Sequence, residues 1–315
     1  MNEKVKKERK WNWNDFAILI ILVVLIVIMA IINPVFLTLN NIMNIARQVS
    51  IVAIAGIGMT YVLISAEIDL SVGSLVGLTG VIAAMAMKEG MPIAVACLLA
   101  IAVSVFCGFM NGVIHTYVKI PSFIVTMGMM NIARGAVLVL TNSYPVTGLP
   151  EEFKMLGRGY MLGIPIPVVL MFACYIIGYF VLKYMKFGRS IYAIGGNIEA
   201  ARLSGISVSK NKVLIHTICG LTAGIAGVVL AARLFSGQPS AGNGMELDAI
   251  AAAVIGGTST AGGKGRLWGT LLGALILGII TNGMNLMNIS TNWQYIMQGA
   301  IIIVAVGLDR IKNND

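Results

Sequence analysis

The stretch Gly256–Gly265, GGTSTAGGKG, is the part of this chain that comes nearest to a phosphate-binding loop. In such a loop, glycines let successive backbone N–H groups wrap a phosphate, and a Lys-Ser/Thr pair completes the site. Here the GxxxxGK[ST] pattern fails twice. Thr258 stands where the first glycine is needed for a Gly263-Lys264 pair, and Gly265 follows the lysine in place of Ser or Thr. The chain therefore cannot bind and hydrolyse ATP by that route. No HExxH or GxSxG is present, the only histidines are His115 and His216, and no paired His/Asp constellation is expected. Cys97, Cys107, Cys174 and Cys219 each lie in an apolar run without CxxC spacing, and they read as buried free thiols. The expectation is no catalytic set, no metal site and no cofactor bound by this chain.

A second group of residues carries hydrogen-bonding chemistry inside apolar surroundings. Asn131 and Arg134, Asn111 and His115, Asn282 and Asn285, and Gln294 and Gln298 are spaced three or four apart, so each pair shares a helix face. Burying a charge at a bilayer centre costs about 2.5–3.5 kcal/mol on insertion scales, so such residues need a reason to be there. One reading is a polar path for a neutral hydroxylated solute, carried by Asn111, Asn131, Arg134, Asn282, Asn285 and Gln298. The other is interhelical glue, or side chains reaching outward to the interface. Glu67 with Asp69, and Glu246 with Asp248, sit at segment ends rather than in a chain of intramembrane carboxylates. That disfavours a proton- or sodium-driven carrier.

The elements that hold these residues are apolar helices. The chain has 315 residues, 58% hydrophobic and 11% charged, with mean hydropathy +0.89. Soluble domains carry about 25% charged residues, so this composition lies outside that class. The net charge of +9 belongs to membrane-flanking loops, because no basic stripe with interleaved aromatics suggests nucleic acid. Apolar segments of span-like character cover 16–33, 45–64, 72–87, 93–117, 121–140, 165–182, 212–232, 243–257, 267–286 and 293–309. The short Gly/Ala-rich segments 72–87 and 243–257 also fit re-entrant or broken helices. The first segment follows Lys4, Lys6, Lys7, Arg9 and Lys10 like a signal peptide, but without a small-x-small cleavage pattern it reads as an uncleaved helix. With both termini cytoplasmic, sixteen of the 22 Lys and Arg face the cytoplasm and four face outward, the bias that the positive-inside rule demands. GxxxG pairs at Gly73/Gly77, Gly108/Gly112, Gly220/Gly224 and Gly269/Gly273 predict close helix packing. The expected fold is an all-α polytopic membrane protein of about ten transmembrane helices. It divides into a basic cytoplasmic N-terminus (1–15), one membrane domain (16–309) and a cytoplasmic C-terminus (310–315).

Two loops stand out. The outer loop 141–164, with Pro145, Pro150, Glu151, Glu152 and Lys154, is either a connector or a docking surface. In the 183–212 loop, Asn197 can cap a short helix from Ile198, Glu199 suits its dipole, and Gly205 stops it. Its small residues Ala200 and Ala201 would let it enter a groove on another protein.

Three runs then converge on one family. EIDLSVG (Glu67–Gly73), AIGGNIEAARLSGI (Ala193–Ile206) and AIAAAVIGGTSTAGGKG (Ala249–Gly265) resemble permease subunits of monosaccharide ABC importers of the ribose/xylose/galactose type, over about residues 30–310. The resemblance implies a type II ABC importer permease fold. It also implies two permease copies (homodimer or heterodimer), a cytoplasmic ATP-binding subunit that carries the ATP, an extracytoplasmic sugar-binding protein and surrounding membrane lipid. By that resemblance Gly195, Gly196, Asn197, Glu199, Ala200, Ala201, Arg202 and Gly205 form the helix that couples to the ATPase. Glu199-Ala200-Ala201…Gly205 matches the family's EAAxxxG core but lacks the downstream I-x-L-P. Glu67, Asp69, Ser71 and Gly73, with Gly256, Gly257, Gly262 and Gly263, fall at cytoplasmic ends and are assigned to gating or ATPase-side contacts. A nucleoside, a sugar-derived signal or a branched-chain amino acid are alternative solutes, and an ion-coupled carrier is the alternative mechanism.

Overall fold

A computed structural model describes residues 13–314. The basic head and the side chains of Arg310 and Lys312, which enter the charge bias above, lie outside the described residues. The helices in chain order are α1 (Trp13–Ile32), α2 (Leu39–Ile64), α3 (Val72–Lys88), α4 (Ile93–Val113), α5 (Ser122–Thr141), α6 (Lys154–Arg158) and α7 (Ile166–Tyr184), then α8 (Lys186–Gly196), α9 (Ile198–Leu203), α10 (Val208–Leu234), α11 (Met245–Ile255), α12 (Leu267–Leu286) and α13 (Thr291–Asn314). All ten apolar segments are helical. Among the described residues, six helices are long and apolar enough to cross a membrane: α2, α4 with its extension to Val118, α5, α7, α10 and α12. The protein is thus a helical, polytopic membrane protein, while the expected count of ten crossings is not reached by length and composition. At 11 residues, α11 is about 17 Å long, short of a ~30 Å hydrocarbon core.

Several boundaries differ from the apolar segments. α2 begins at Leu39 rather than 45, and α10 begins at Val208 rather than 212. Hydropathy marks only the part of a helix that contacts apolar surroundings. The backbone ladder continues through polar first turns such as Leu39-Asn40-Asn41 and Val208-Ser209-Lys210. The 141–164 loop is structured too. It contains α6 and a two-stranded antiparallel hairpin, β1 (Tyr160–Met161) and β2 (Ile164–Pro165), that turns at Leu162-Gly163 with positive φ at both residues. Gly157 of α6 packs against the backbone of Ala232 and Arg233, and Arg158 Nε donates to the Arg233 carbonyl (2.7 Å), so this segment is fastened to the end of α10.

α2 and α10 form the centre. From Ile51 to Ile64, α2 is buried almost all round, the pattern of a helix enclosed by others. α10 lies against α2, α3 and α4. The GxxxG pairs are where the backbones close up. A Cβ on Gly108 would meet the His216 carbonyl and Gly220, one on Gly112 would meet Val213, and one on Gly220 would meet the Ser104 carbonyl. Gly269 and Gly273 likewise sit on Gly256 and Ala252, joining α12 to α11. With lipid tails as apolar as leucine, this close packing is what holds such helices together.

Candidate functional site

The second and third motifs meet where α2 stops, immediately before the first. The Ile64 carbonyl at the end of α2 accepts a hydrogen bond from Gly263 N (2.8 Å). Gly195 of α8 lies so close to that carbonyl that a Cβ would collide with it and with Gly263 N. Gly262 (φ +87°) turns beside Ala66 and the Gly195 carbonyl, a left-handed backbone that favours glycine. Tyr192 Oη then donates to the Gly265 carbonyl (2.7 Å). From the last helix, Asp309 Oδ2 accepts from Thr260 N and Thr260 Oγ1 (both 3.0 Å). Gly256 is pressed against Gly269, whereas Gly257 (φ +86°) faces open space.

α8 and α9 cover this junction. α8 is amphipathic and buries Gly188, Ile191 and Ile194. The α9 cap forms as the sequence predicts: Asn197 Oδ1 accepts from Glu199 N (3.0 Å) and Ala200 N (2.9 Å), and Gly205 takes φ +79° after the last turn. One detail is corrected. Ala201 packs inward with Ile194 and Val208, so the outer face is formed by Glu199, Ala200, Arg202 and Leu203, with Leu203 89% exposed. Glu199 and Arg202 pair across one turn at 3.0 Å. An exposed leucine flanked by an ion pair on a six-residue helix leaves apolar surface in water.

The segment Glu67–Ser71 does not lie on the rim, as its position at a segment end suggests. It is non-helical backbone drawn into the bundle, with Glu67 5% and Asp69 1% exposed. Its partner His216 is eight residues into α10, roughly 12 Å from that helix's start. His216 Nε2 lies 2.9 Å from Glu67 Oε2 and its Nδ1 lies 3.0 Å from Asp69 Oδ2. His115 Nε2 lies 2.8 Å from Glu67 Oε1, and Lys212 Nζ donates to the same oxygen at 2.6 Å. Ser71 N and Oγ donate to Asp69 Oδ1, and Asn111 Nδ2 donates to Ser71 Oγ (3.0 Å). This overturns the expectation that no paired His/Asp constellation forms. Lys212 and His216 are the residues that sequence reasoning missed, and His115 was placed only on a helix face with Asn111. The available signal was scarcity: two histidines in apolar helices and few carboxylates, each of which must find a partner. Burial alone raises the Glu67 carboxyl. Hydrogen bonds from His115 and His216 and the charges of His216 and Lys212 outweigh it, holding Glu67 well below the usual carboxylate range.

The residues assigned to a polar path are dispersed. Asn111 joins the charged cluster. Arg134 Nη1 donates to the carbonyls of Pro239 (2.7 Å) and Ala241 (3.0 Å), clamping the loop before α11. Gly73 abuts Gly242 and Glu246 of that same region. Asn282 and Asn41 exchange amide hydrogen bonds between α12 and α2 (2.8 and 3.0 Å). Asn131 is exposed and donates to its own helix at Met127. Asn285 accepts from Gln294 (2.8 Å), and Gln298 donates to Asp248. Gln298 alone of the six lines a cavity among those described, a space of about 140 Å³ between α11, α12 and α13, with Asn243, Asp248, Thr281, Thr291 and Gln294.

The family described as "Branched-chain amino acid transport system / permease component" matches residues 41–306. The chain is 47% identical over 285 residues to the ribose import permease protein RbsC of Escherichia coli (strain K12), covering 89% of each chain. It is 44% identical over 287 residues to RbsC of Bacillus subtilis (strain 168), covering 90% of this chain and 89% of the relative. It is 39% identical over 336 aligned positions to the xylose transport system permease protein XylH of Haemophilus influenzae, covering 87% and 90%. No solved structure matches the chain.

Proposed function

We propose, from the premise that this chain belongs to the branched-chain amino acid transport system / permease component family, that it is the membrane-spanning subunit of an ATP-driven importer for a monosaccharide. Ribose and xylose permeases at 39–47% identity over most of both chains support the solute class. The lining of the cavity beside Gln298 supports it as well. Asn243, Asp248, Thr281, Thr291, Gln294 and Gln298 offer amides, hydroxyls and a carboxylate suited to sugar hydroxyls, and no Lys, Arg or His lines the cavity to pair with an amino acid's carboxylate.

The observation that carries the mechanism is the junction of α8 and the Gly262–Gly265 turn with the end of α2, just before the Glu67–Gly73 run. In this reading α9 is the coupling helix, and Glu199, Ala200, Arg202 and Leu203 contact a cytoplasmic ATP-binding subunit that holds the ATP. The permease has no ATPase site of its own. Movement of α9 passes through α8 to Gly195, and from there to the end of α2 and the Gly262-Gly263 turn. It also passes along the start of α10 through Lys212 to Glu67. Two permease copies, a homodimer or a heterodimer, enclose the path. A sugar-binding protein docks at the outer end, where the hairpin tip presents Leu162, 95% exposed. Coupling requires that the two partners favour different states of the permease.

The test is uptake of labelled ribose, xylose and leucine into inverted-topology-controlled vesicles, with ATP-binding subunit and binding protein supplied or withheld, for wild type and Glu199→Arg. Sugar uptake that needs both partners and falls at least tenfold in the variant, at equal expression, supports the proposal. Leucine uptake in preference to sugar moves the solute to the branched-chain class. Sugar uptake driven by an ion gradient with neither partner overturns the importer reading.

A further inference from the structure

The cavity beside Gln298 lies at the end of the bundle away from α8 and α9. Its residue Thr281 stands about 21 Å along α12 from Leu267, at the rise of a regular helix. Toward α8 and α9 the space is closed by α11, whose Ala252 and Gly256 press on Gly273 and Gly269 of α12. At about 30 Å³ of liquid per water, its 140 Å³ is the space of about five waters, enough for one sugar ring and too little for a disaccharide. The lining is electrically unbalanced. Asp248 is its charged residue, and among the described residues no Lys, Arg or His pairs with that carboxylate. Gln298 spends both amide hydrogens, on the Gly244 carbonyl (3.3 Å) and on Asp248 Oδ1. Asp248 Oδ2 and Gln298 Oε1 are left as acceptors. In the same lining the hydroxyls of Thr281 and Thr291 and the side-chain amide of Asn243 have no partner among the described residues. Tyr295 adds a ring that is more than half exposed, and Leu277, Ile280 and Met284 form an apolar wall.

We infer that this cavity is a selective subsite for one neutral sugar ring, in which Asp248, held by Gln298, accepts hydroxyl hydrogens and turns away anionic sugars. The inference rests on the monosaccharide reading and adds which residue chooses among sugars. An ionised carboxylate accepts hydrogen bonds and donates none, and bonds to it are about twice as strong as those between neutral groups. Adjacent sugar hydroxyls supply the donors that Asp248 Oδ2 and Gln298 Oε1 lack. Thr281, Thr291 and Asn243 both give and take hydrogen bonds, which suits the remaining hydroxyls. The C–H face of the ring lies against Tyr295 and the apolar wall, in the usual mixture of apolar lining with a few placed polar groups. A sugar phosphate or uronic acid brings a second negative charge to a carboxylate that no cation balances. That repulsion is stronger in a partly dry cavity than in water. Selection then includes a repelling element as well as fit. A small cation alone satisfies Asp248 but leaves the hydroxyls, the Asn243 amide and the ring without a partner.

The experiment uses the full-length chain in vesicles, with Ile280→Cys as a reporter in the apolar wall. The native cysteines are buried or half-buried, and the protein without the reporter sets their background. D-ribose, D-xylose, D-ribose 5-phosphate and D-glucuronate are compared for how far each slows modification by a small thiol reagent. Ribose and xylose are expected to protect in the millimolar range, and the two acids to need at least about tenfold more. Asp248→Asn should narrow that gap to about threefold or less, by weakening the neutral sugars and admitting the acids. Asp248→Glu should keep the acids excluded, which separates loss of the charge from loss of folding. No protection by ribose, protection by the acids equal to that by ribose, a gap unchanged in Asp248→Asn, or loss of all protection in both Asp248 variants overturns the inference. Protection by sodium or ammonium chloride at the concentrations where ribose acts also overturns it, and assigns Asp248 to a cation. Failure of the importer reading looks different. Sugar protection with the expected gap, but no sugar uptake when the ATP-binding subunit and binding protein are supplied, supports the subsite and overturns the importer.

Discussion

His216 is fully buried, and each of its ring nitrogens faces a carboxylate, Glu67 at 2.9 Å and Asp69 at 3.0 Å. An ionised carboxylate only accepts hydrogen bonds, so with both carboxylates ionised the ring donates from both nitrogens and is an imidazolium. With Lys212 it balances the two negative charges. Replacing a buried ion pair by apolar groups can be harmless, but removing one partner strands the rest and costs about 3–5 kcal/mol. His216→Gln is therefore expected to lower the thermal unfolding midpoint of the detergent-solubilised protein by several degrees; a midpoint equal to wild type rules out the network as a stabilising element. Acidification probes the same site. The Glu67 carboxyl, facing His115, His216 and Lys212 with Asp69 nearby, lies below its ordinary range. Its contribution is complete above the unfolded-chain value of about 4.3 and is lost as pH falls below that toward the folded-state value. The midpoint should fall on acidification below about pH 4, and Glu67→Gln should be lower at neutral pH and less sensitive to acid. An equal acid response in both proteins would assign the loss to other groups.

At the scale of single elements, two glycines one residue apart in α8 make opposite predictions. A Cβ on Gly195 collides with the Ile64 carbonyl, whereas one on Gly196 meets nothing within 4 Å. Alanine is a better helix former than glycine by about 1 kcal/mol. Gly196→Ala should therefore be neutral or stabilising, and Gly195→Ala should destabilise and reduce uptake. Equal effects would mean that α8 does not pack on α2 as described. For α9, Asn197→Ala removes an acceptor shared by two amides, at a cost of about 1 kcal/mol. Faster hydrogen exchange at Glu199 and Ala200 than in wild type is the expected readout; unchanged exchange would mean that tertiary contacts alone hold α9.

For the whole molecule, the α9 face and the β1–β2 tip should lie on opposite sides of the membrane. Leu203→Cys and Leu162→Cys place thiols at two highly exposed sites, while the native cysteines are buried or half-buried. An impermeant thiol reagent should label Leu162→Cys in intact cells and Leu203→Cys only after the membrane is opened. Labelling of both in intact cells overturns the orientation on which the coupling proposal depends.

What the amino-acid sequence determined by itself were the properties set by neighbouring residues. Hydropathy located ten of the thirteen described α-helices, all but α6, α8 and α9, spacing of small residues marked the close packing of α4 on α10 and of α11 on α12, and the Asn197 cap and Gly205 stop of α9 were readable from side-chain chemistry. Tertiary structure decided how distant stretches combine. Glu67 reaches His115 and His216 across 48 and 149 residues, and no local pattern specifies which of several helices brings a partner. The same holds for Gly263 on Ile64 and for Asn282 on Asn41. The physical reason is that helix formation is governed by contacts three or four residues apart, whereas a buried charge or amide is satisfied by whichever backbone packing carries toward it.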